Sequence, residues 1–166
     1  MSVSPEAHRQ AARRFASGVT VAAAEHDGLQ HAITATAFCS LSLEPPMVLL
    51  AVRSAGRLLE LVRRSGCVGI SVLSAHQHEV GAWAATRGRS PERTFPLHAT
   101  RTAITGAPLV PGSLAWFDCR VQSLEAHGDH HVLVGSVESC GVADGDPLLY
   151  YRGGYHELGP SLRPGG

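Results

Sequence analysis

The feature that most constrains this chain is its punctuation. Short apolar and β-branched runs are cut repeatedly by glycine, proline and aspartate, and few of them carry a helical period. Residues 19–24 form one such run, and His26-Asp27-Gly28 is a tight-turn sequence returning the chain into a second strand that begins near His31. Further strands are expected at 47–52, 67–73, 113–124, 131–140 and 148–158, with Asp144-Gly145-Asp146-Pro147 as a turn before the last. Three segments depart from this rhythm. Ser4-Pro5-Glu6 reads as N-cap, first-turn proline and early acid, and Ala7, Ala11, Ala12 and Phe15 follow at helical spacing, so a helix is expected over 5–16. Ser54 reads as the cap of a second helix, with Leu58, Leu61 and Val62 on its buried face and Arg63 and Arg64 in its last turn before Gly66. Val80, Trp83 and Ala84 share one face of a third, over 75–86. Strands outnumber helices and do not alternate with them regularly. The pattern excludes a doubly wound sheet and points to a mostly β fold, an antiparallel barrel with two or three flanking helices.

Length and charge narrow what such a barrel does. The chain has 166 residues and is 44% apolar, enough for one core and too short for two domains of ordinary size. Residues 1–160 read as one domain, the Gly/Pro-rich 161–166 as a flexible tail, and the polar 87–98 as the least ordered internal stretch. Fourteen basic residues balance fourteen acidic ones, so no charge excess drives binding to nucleic acid or a membrane. Every basic residue is arginine, which excludes a Schiff-base lysine, a Walker-type phosphate lysine and a lysine general base. The N-terminus has no apolar leader region, and the longest apolar run, 47–52, falls far short of a membrane span, so a cytoplasmic location is expected. Cys39, Cys67, Cys119 and Cys140 show no CxxC spacing and read as small buried thiols of a reducing compartment.

Four constellations could carry chemistry. Thr34, Thr36, Ser40 and Ser42 alternate along one extended segment that ends at Pro45-Pro46. Neutral donors and acceptors spaced this way suit a flat heteroaromatic ligand, and the same pattern describes a solvated strand face. Arg53-Ser54-Ala55-Gly56-Arg57, between a strand and a helix, is a competent phosphate site and equally an ordinary capped helix. His127, Asp129, His130 and His131 invite a metal reading, but alternation sends His130 and His131 to opposite faces and no second ligand cluster presents itself. A single histidine lining a pocket is the more economical reading, and no metal is assigned. Tyr150 and Tyr151 face opposite ways in a strand, and Tyr151 with Arg152 could border a nucleotide. No Ser-His-Asp order, nucleophile elbow or paired carboxylate motif is present, which favours a cofactor that carries the chemistry itself.

Taken in order, FASGVTV at 15–21, HAITATAFCSLSLEPP at 31–46, CVGISVL at 67–73, GDH at 128–130 with VGSV at 134–137, and PLLYYR at 147–152 resemble the flavin reductase family with the FMN-binding split-barrel fold. That family includes the reductase components of two-component flavin-dependent monooxygenases. The resemblance implies a homodimer that binds FMN or FAD noncovalently and reduces it with NADH or NADPH, by hydride transfer from nicotinamide C4 to flavin N5. It implies flavin contacts at Thr34, Ala35, Thr36, Ser40 and Ser42, and phosphate contacts at Ser54 and Arg57. It casts His130 as the orienting catalytic group beside the nicotinamide, with Tyr151 and Arg152 bordering that site. The implied recipient of reduced flavin is a partner monooxygenase. Ala32 and Ala37 depart from the family pattern, where a glycine and a small hydroxyl residue are usual. They keep open a noncatalytic flavin- or haem-binding protein on the same barrel.

Overall fold

The structure, a computed structural model, describes residues 2–89, 100–101 and 104–161. Of the least ordered stretch expected at 87–98 and the tail expected at 161–166, residues 90–98 and 162–166 lie outside the described residues. The chain runs α1 (Pro5–Ala12), β1 (Ser17–Gly18), β2 (Thr20–His26), β3 (Leu29–Ala35), β4 (Phe38–Leu43), β5 (Pro46–Arg53), α2 (Arg57–Ser65), β6 (Cys67–Val72), a 3-10 turn (Ala75–Gln77) and α3 (His78–Ala85). It continues through β7 (Thr100–Arg101), β8 (Pro108–Leu109), β9 (Ala115–His127), β10 (His130–Val142), β11 (Leu149–Tyr151) and β12 (Gly154–His156).

Seven strands form one antiparallel sheet in the order β3-β2-β6-β9-β10-β5-β4. Its two end strands, β3 and β4, are consecutive in the chain, with only Thr36 and Ala37 between them. A sheet whose ends are tied by two residues must curl on itself, and β3 and β4 share no ladder. The result is a mostly β, antiparallel barrel split along that seam, with three helices flanking it. At the seam the Ala51 amide donates to the Ala37 carbonyl at 3.0 Å. Strands β1, β11 and β12 make a second small sheet, and β7 pairs with β8.

Strand β2 explains why its sequence, TVAAAEH, lacks polar alternation. Ala22 and Ala24 face one core with Leu50, Val52, Ile70 and Leu133, closed by Leu58, Leu59, Leu61 and Val62 of α2. Val21 and Ala23 face a second core with Ala32, Leu73 and Leu148, closed by Val80 and Ala84 of α3. Both faces are covered, so both must be apolar. Burying each of the four α2 side chains stabilises the fold by about 1.5–3 kcal/mol before entropy is counted. Strand β6 passes so close to β8 that a Cβ on Gly69 would lie 2.3 Å from the Pro108 carbonyl oxygen. The β2–β3 hairpin turns at Asp27 and Gly28, both at positive φ (50° and 78°), as its sequence signalled. Helix α2 ends where expected, at Gly66, left-handed at φ 69°.

Several expectations change. Helix α1 stops at Ala12 rather than 16 because none of its residues is buried and Phe15, 80% exposed, finds no core to pack on. The single strand over 148–158 is a hairpin, reversed at Arg152-Gly153, both at positive φ. The continuous extended segment over 34–42 is two strands broken at Thr36-Ala37, with a register shift between Ser40 and Ser42. Only Cys67 and Cys119 are buried, while Cys39 and Cys140 are exposed. Burial pushes the Cys119 thiol up to about 12. Among the described residues, no helix is long and apolar enough to cross a membrane.

Candidate functional site

A cavity of about 1010 Å³ opens beside the β3/β4 seam. One wall is β3 and the following turn, with Ile33, Thr34, Ala35, Thr36 and Ala37; another is the end of β5, with Ala51, Val52 and Arg53. The loop into α2 contributes Ala55, Gly56, Arg57 and Leu58, the end of α3 and its exit contribute residues 84–89, and β10 contributes His130. Much of this lining is alanine. Small side chains leave a shallow, flat wall with main-chain groups within reach of a ligand, the shape a planar ring needs.

One end of the cavity is cationic. The N-cap of α2 is Gly56, extended at φ −145°, with no side chain capping the helix. The first-turn amides of Arg57 and Leu58 therefore have no side-chain acceptor, and both residues line the cavity. Arg57 is exposed and pairs with no carboxylate among the described residues. Arg53 reaches Asp129 at 3.8 Å. Asp129 also accepts from His130 Nδ1 at 2.7 Å, and that hydrogen bond holds its carboxyl below the usual range. His130 lies opposite Arg53 in the β10/β5 register, so strand pairing itself places the histidine at the cavity.

His31, half-buried, also lines the cavity. Burial first, then Arg89 and Arg57, push its ring down to about 4, so it is neutral at neutral pH. The Arg89 guanidinium donates to the carbonyls of Ala32, Ala84 (3.3 Å) and Thr86 (3.0 Å) and lies 3.9 Å from the centre of the Trp83 ring. It ties the exit of α3 to β3. Thr34 Oγ1 does the same one turn earlier, donating to the Gly81 carbonyl at 2.5 Å.

Of the residues singled out by sequence, Thr34, Ala35, Thr36, Arg57 and His130 come together on this cavity. Ser40 and Ser42 sit on β4, across the seam and off its wall. Ser54 does not cap α2. Its hydroxyl meets His131 Nδ1 at 2.9 Å, and the N-cap of the helix falls two residues later, at Gly56. Tyr151 and Arg152 lie at the β11–β12 turn, near α1, and line no part of this cavity. As the strand alternation predicted, His131 turns inward where His130 faces the cavity. Arg53, part of the Arg53–Arg57 phosphate constellation, also lines the cavity, whereas His31 and Arg89 carried no signal of their own. A histidine on an apolar strand and an arginine in a polar stretch carry no local signal, and only the fold brings them together.

Residues 12–159 match the family model of the flavin reductase like domain. The chain belongs to the flavin reductase family. It is 40% identical to the reductase component of 4-hydroxyphenylacetate 3-monooxygenase of Thermus thermophilus, over 92% of this chain and 96% of that one. It is 36% identical to an NADH-dependent flavin reductase of a Rhodococcus species, covering 94% and 88% of the two chains. Among solved structures it is similar to BorF, the flavin reductase component of a bacterial two-component tryptophan halogenase. There the TM-score is 0.88 at 35% identity, covering 95% of this chain and 100% of that one. The split barrel that the flavin reductase resemblance implied is the fold observed.

Proposed function

We propose that the protein is an NAD(P)H:flavin oxidoreductase that reduces FMN or FAD and supplies the reduced flavin to a partner monooxygenase. The observation that carries this reading is one cavity lined both by the alanines and threonines of β3 and its turn and by an uncapped helix N-terminus whose Arg57 pairs with no carboxylate among the described residues. The donor set fits the ligand. Thr34, Ala35 and Thr36 would lie along the ring system, and Arg57 with the α2 amides would hold a phosphate. A bound flavin supplies the redox chemistry, accepting hydride from nicotinamide C4 at its N5. The protein's part is to bind, orient and exclude water. Among the described residues lining the cavity there is no thiol or carboxylate, and the reaction needs none. His130, held by Asp129, orients the nicotinamide at the cavity. Three relatives named as reductases favour this reading over a noncatalytic flavin- or haem-binding module.

The working unit is a homodimer in this proposal. Ser40 and Ser42 lie on β4, an end strand of the sheet, beside exposed Leu41 and Leu43, an edge that needs cover. In a dimer, these serines, with Tyr151 and Arg152, are free to complete the neighbouring subunit's site. The test is oxidation of NADH or NADPH with FMN or FAD added, followed by nicotinamide absorbance. Flavin-dependent oxidation is expected with at least one pairing, and its absence with all four overturns the proposal.

A further inference from the structure

Behind the cationic loop stands a histidine that the proposed chemistry does not use. His131 of β10 is 9% exposed and opposes Val52 of β5 in the sheet register. Both of its ring nitrogens are engaged. Arg63, in the last turn of α2, approaches Nε2 at 2.8 Å, and Ser54 Oγ lies 2.9 Å from Nδ1. A guanidinium only donates, so Nε2 must accept, and the ring proton sits on Nδ1. Nδ1–H then donates to Ser54 Oγ. The serine is thereby made an acceptor on its inner side, and its own hydroxyl hydrogen remains its one donor. Its amide is also fixed, donating to the Asp129 carbonyl at 2.9 Å. Ser54 is half-buried and is not itself part of the cavity lining, but the residues on either side of it, Arg53 and Ala55, are, as is Arg57.

We propose that His131 is a positioning residue for the anion end of the cavity: Arg63 holds its ring in the Nδ1–H form, and that N–H orients the Ser54 hydroxyl as a donor to a phosphate bound by the loop over 53–57. This accounts for a serine at the start of α2 that does not cap it. The helix amides and the serine hydroxyl are both left to the same anion. The identity of that anion as a flavin phosphate rests on the function proposed above. The tautomer does not.

The test has two arms. Long-range nitrogen–proton NMR correlations on the wild-type protein are expected to place the His131 proton on Nδ1. Fluorescence titrations then compare FMN with riboflavin, which has the same ring and no phosphate. Ser54→Ala and His131→Gln, which keeps an acceptor for Arg63 but loses the donor to Ser54, are each expected to weaken FMN binding about tenfold and to leave riboflavin within about twofold. The double variant is expected to bind FMN no more weakly than either single one. His131→Asn, whose amide nitrogen takes the place of Nδ1, is expected to recover most of the FMN affinity. A proton on Nε2, a charged ring, or an equal loss for FMN and riboflavin overturns the proposal. Wild-type protein that shows the tautomer and the FMN selectivity but oxidises no NADH sinks the reductase reading and leaves this one standing.

Discussion

Replacing His31 by glutamine should change how stability depends on pH, in a direction fixed by the structure. The His31 ring is half-buried in the cavity wall, and burial, then the charges of Arg89 and Arg57, lower its pKa from an ordinary 6.5 to about 4. As pH drops through 6.5 the unfolded chain takes up a proton at this residue, and the folded one does not until about 4. The stability His31 contributes is therefore complete above 6.5 and is lost as pH falls toward 4. The full gap between those values corresponds to about 3.4 kcal/mol. The ring is only partly out of solvent, so screening reduces this to about 1–2 kcal/mol. Glutamine has no proton to gain. Urea unfolding of both proteins from about pH 7 to about pH 4.5 should show the wild type losing about 1–2 kcal/mol more than His31→Gln, whatever their difference at neutral pH. With an ordinary urea slope, that is an extra shift in midpoint of about 0.5–1 M. Parallel decline of the two, or a steeper decline in the variant, would refute a His31 kept neutral by burial and by the charges of Arg89 and Arg57.

Two further substitutions probe the site and its frame. Arg57→Ala should weaken FMN binding by about 10- to 100-fold, with riboflavin little affected, because it removes a charge-assisted contact to phosphate alone. The side chain is exposed, so unfolding stability should stay within about 0.5 kcal/mol of wild type; fluorescence titration and a melt check the two halves. Gly69→Ala should destabilise by about 2–3 kcal/mol, since the new methyl would sit 2.3 Å from a main-chain oxygen of β8 and the strands must move apart. A thermal melt with unchanged midpoint would contradict that close crossing.

How much of this was legible in the sequence depends on whether the cause was local. The turn at Asp27-Gly28 and the stop of α2 at Gly66 were readable because each rests on a backbone angle that glycine or aspartate tolerates. The opposed directions of His130 and His131 followed from strand alternation alone. What failed depended on packing or on competition between partners. Helix α1 ends early for want of a core beneath Phe15, which no periodicity reveals. Arg152 occupies a left-handed position that reverses a strand. Ser54 has the composition of an N-cap, but a histidine 77 residues away claims its hydroxyl. The hydroxyl row at 34–42 was recognised as one feature, yet the seam divides it, so that Thr34 and Thr36 line the cavity and Ser40 and Ser42 do not. The family resemblance recovered the barrel, and Arg57, which it singled out, lines the cavity. It did not find His31 or Arg89, which meet the others only in three dimensions.

In the proposed function, flavin binds in the cavity beside the β3/β4 seam. A crystal structure of the protein with FMN tests it most directly. The phosphate is expected within hydrogen-bond reach of Arg57 and the first-turn amides of α2, and the ring system along Thr34, Ala35 and Thr36. Flavin bound elsewhere, such as against Tyr151 and Arg152 of the same chain with the Arg57 end left to water, would contradict it.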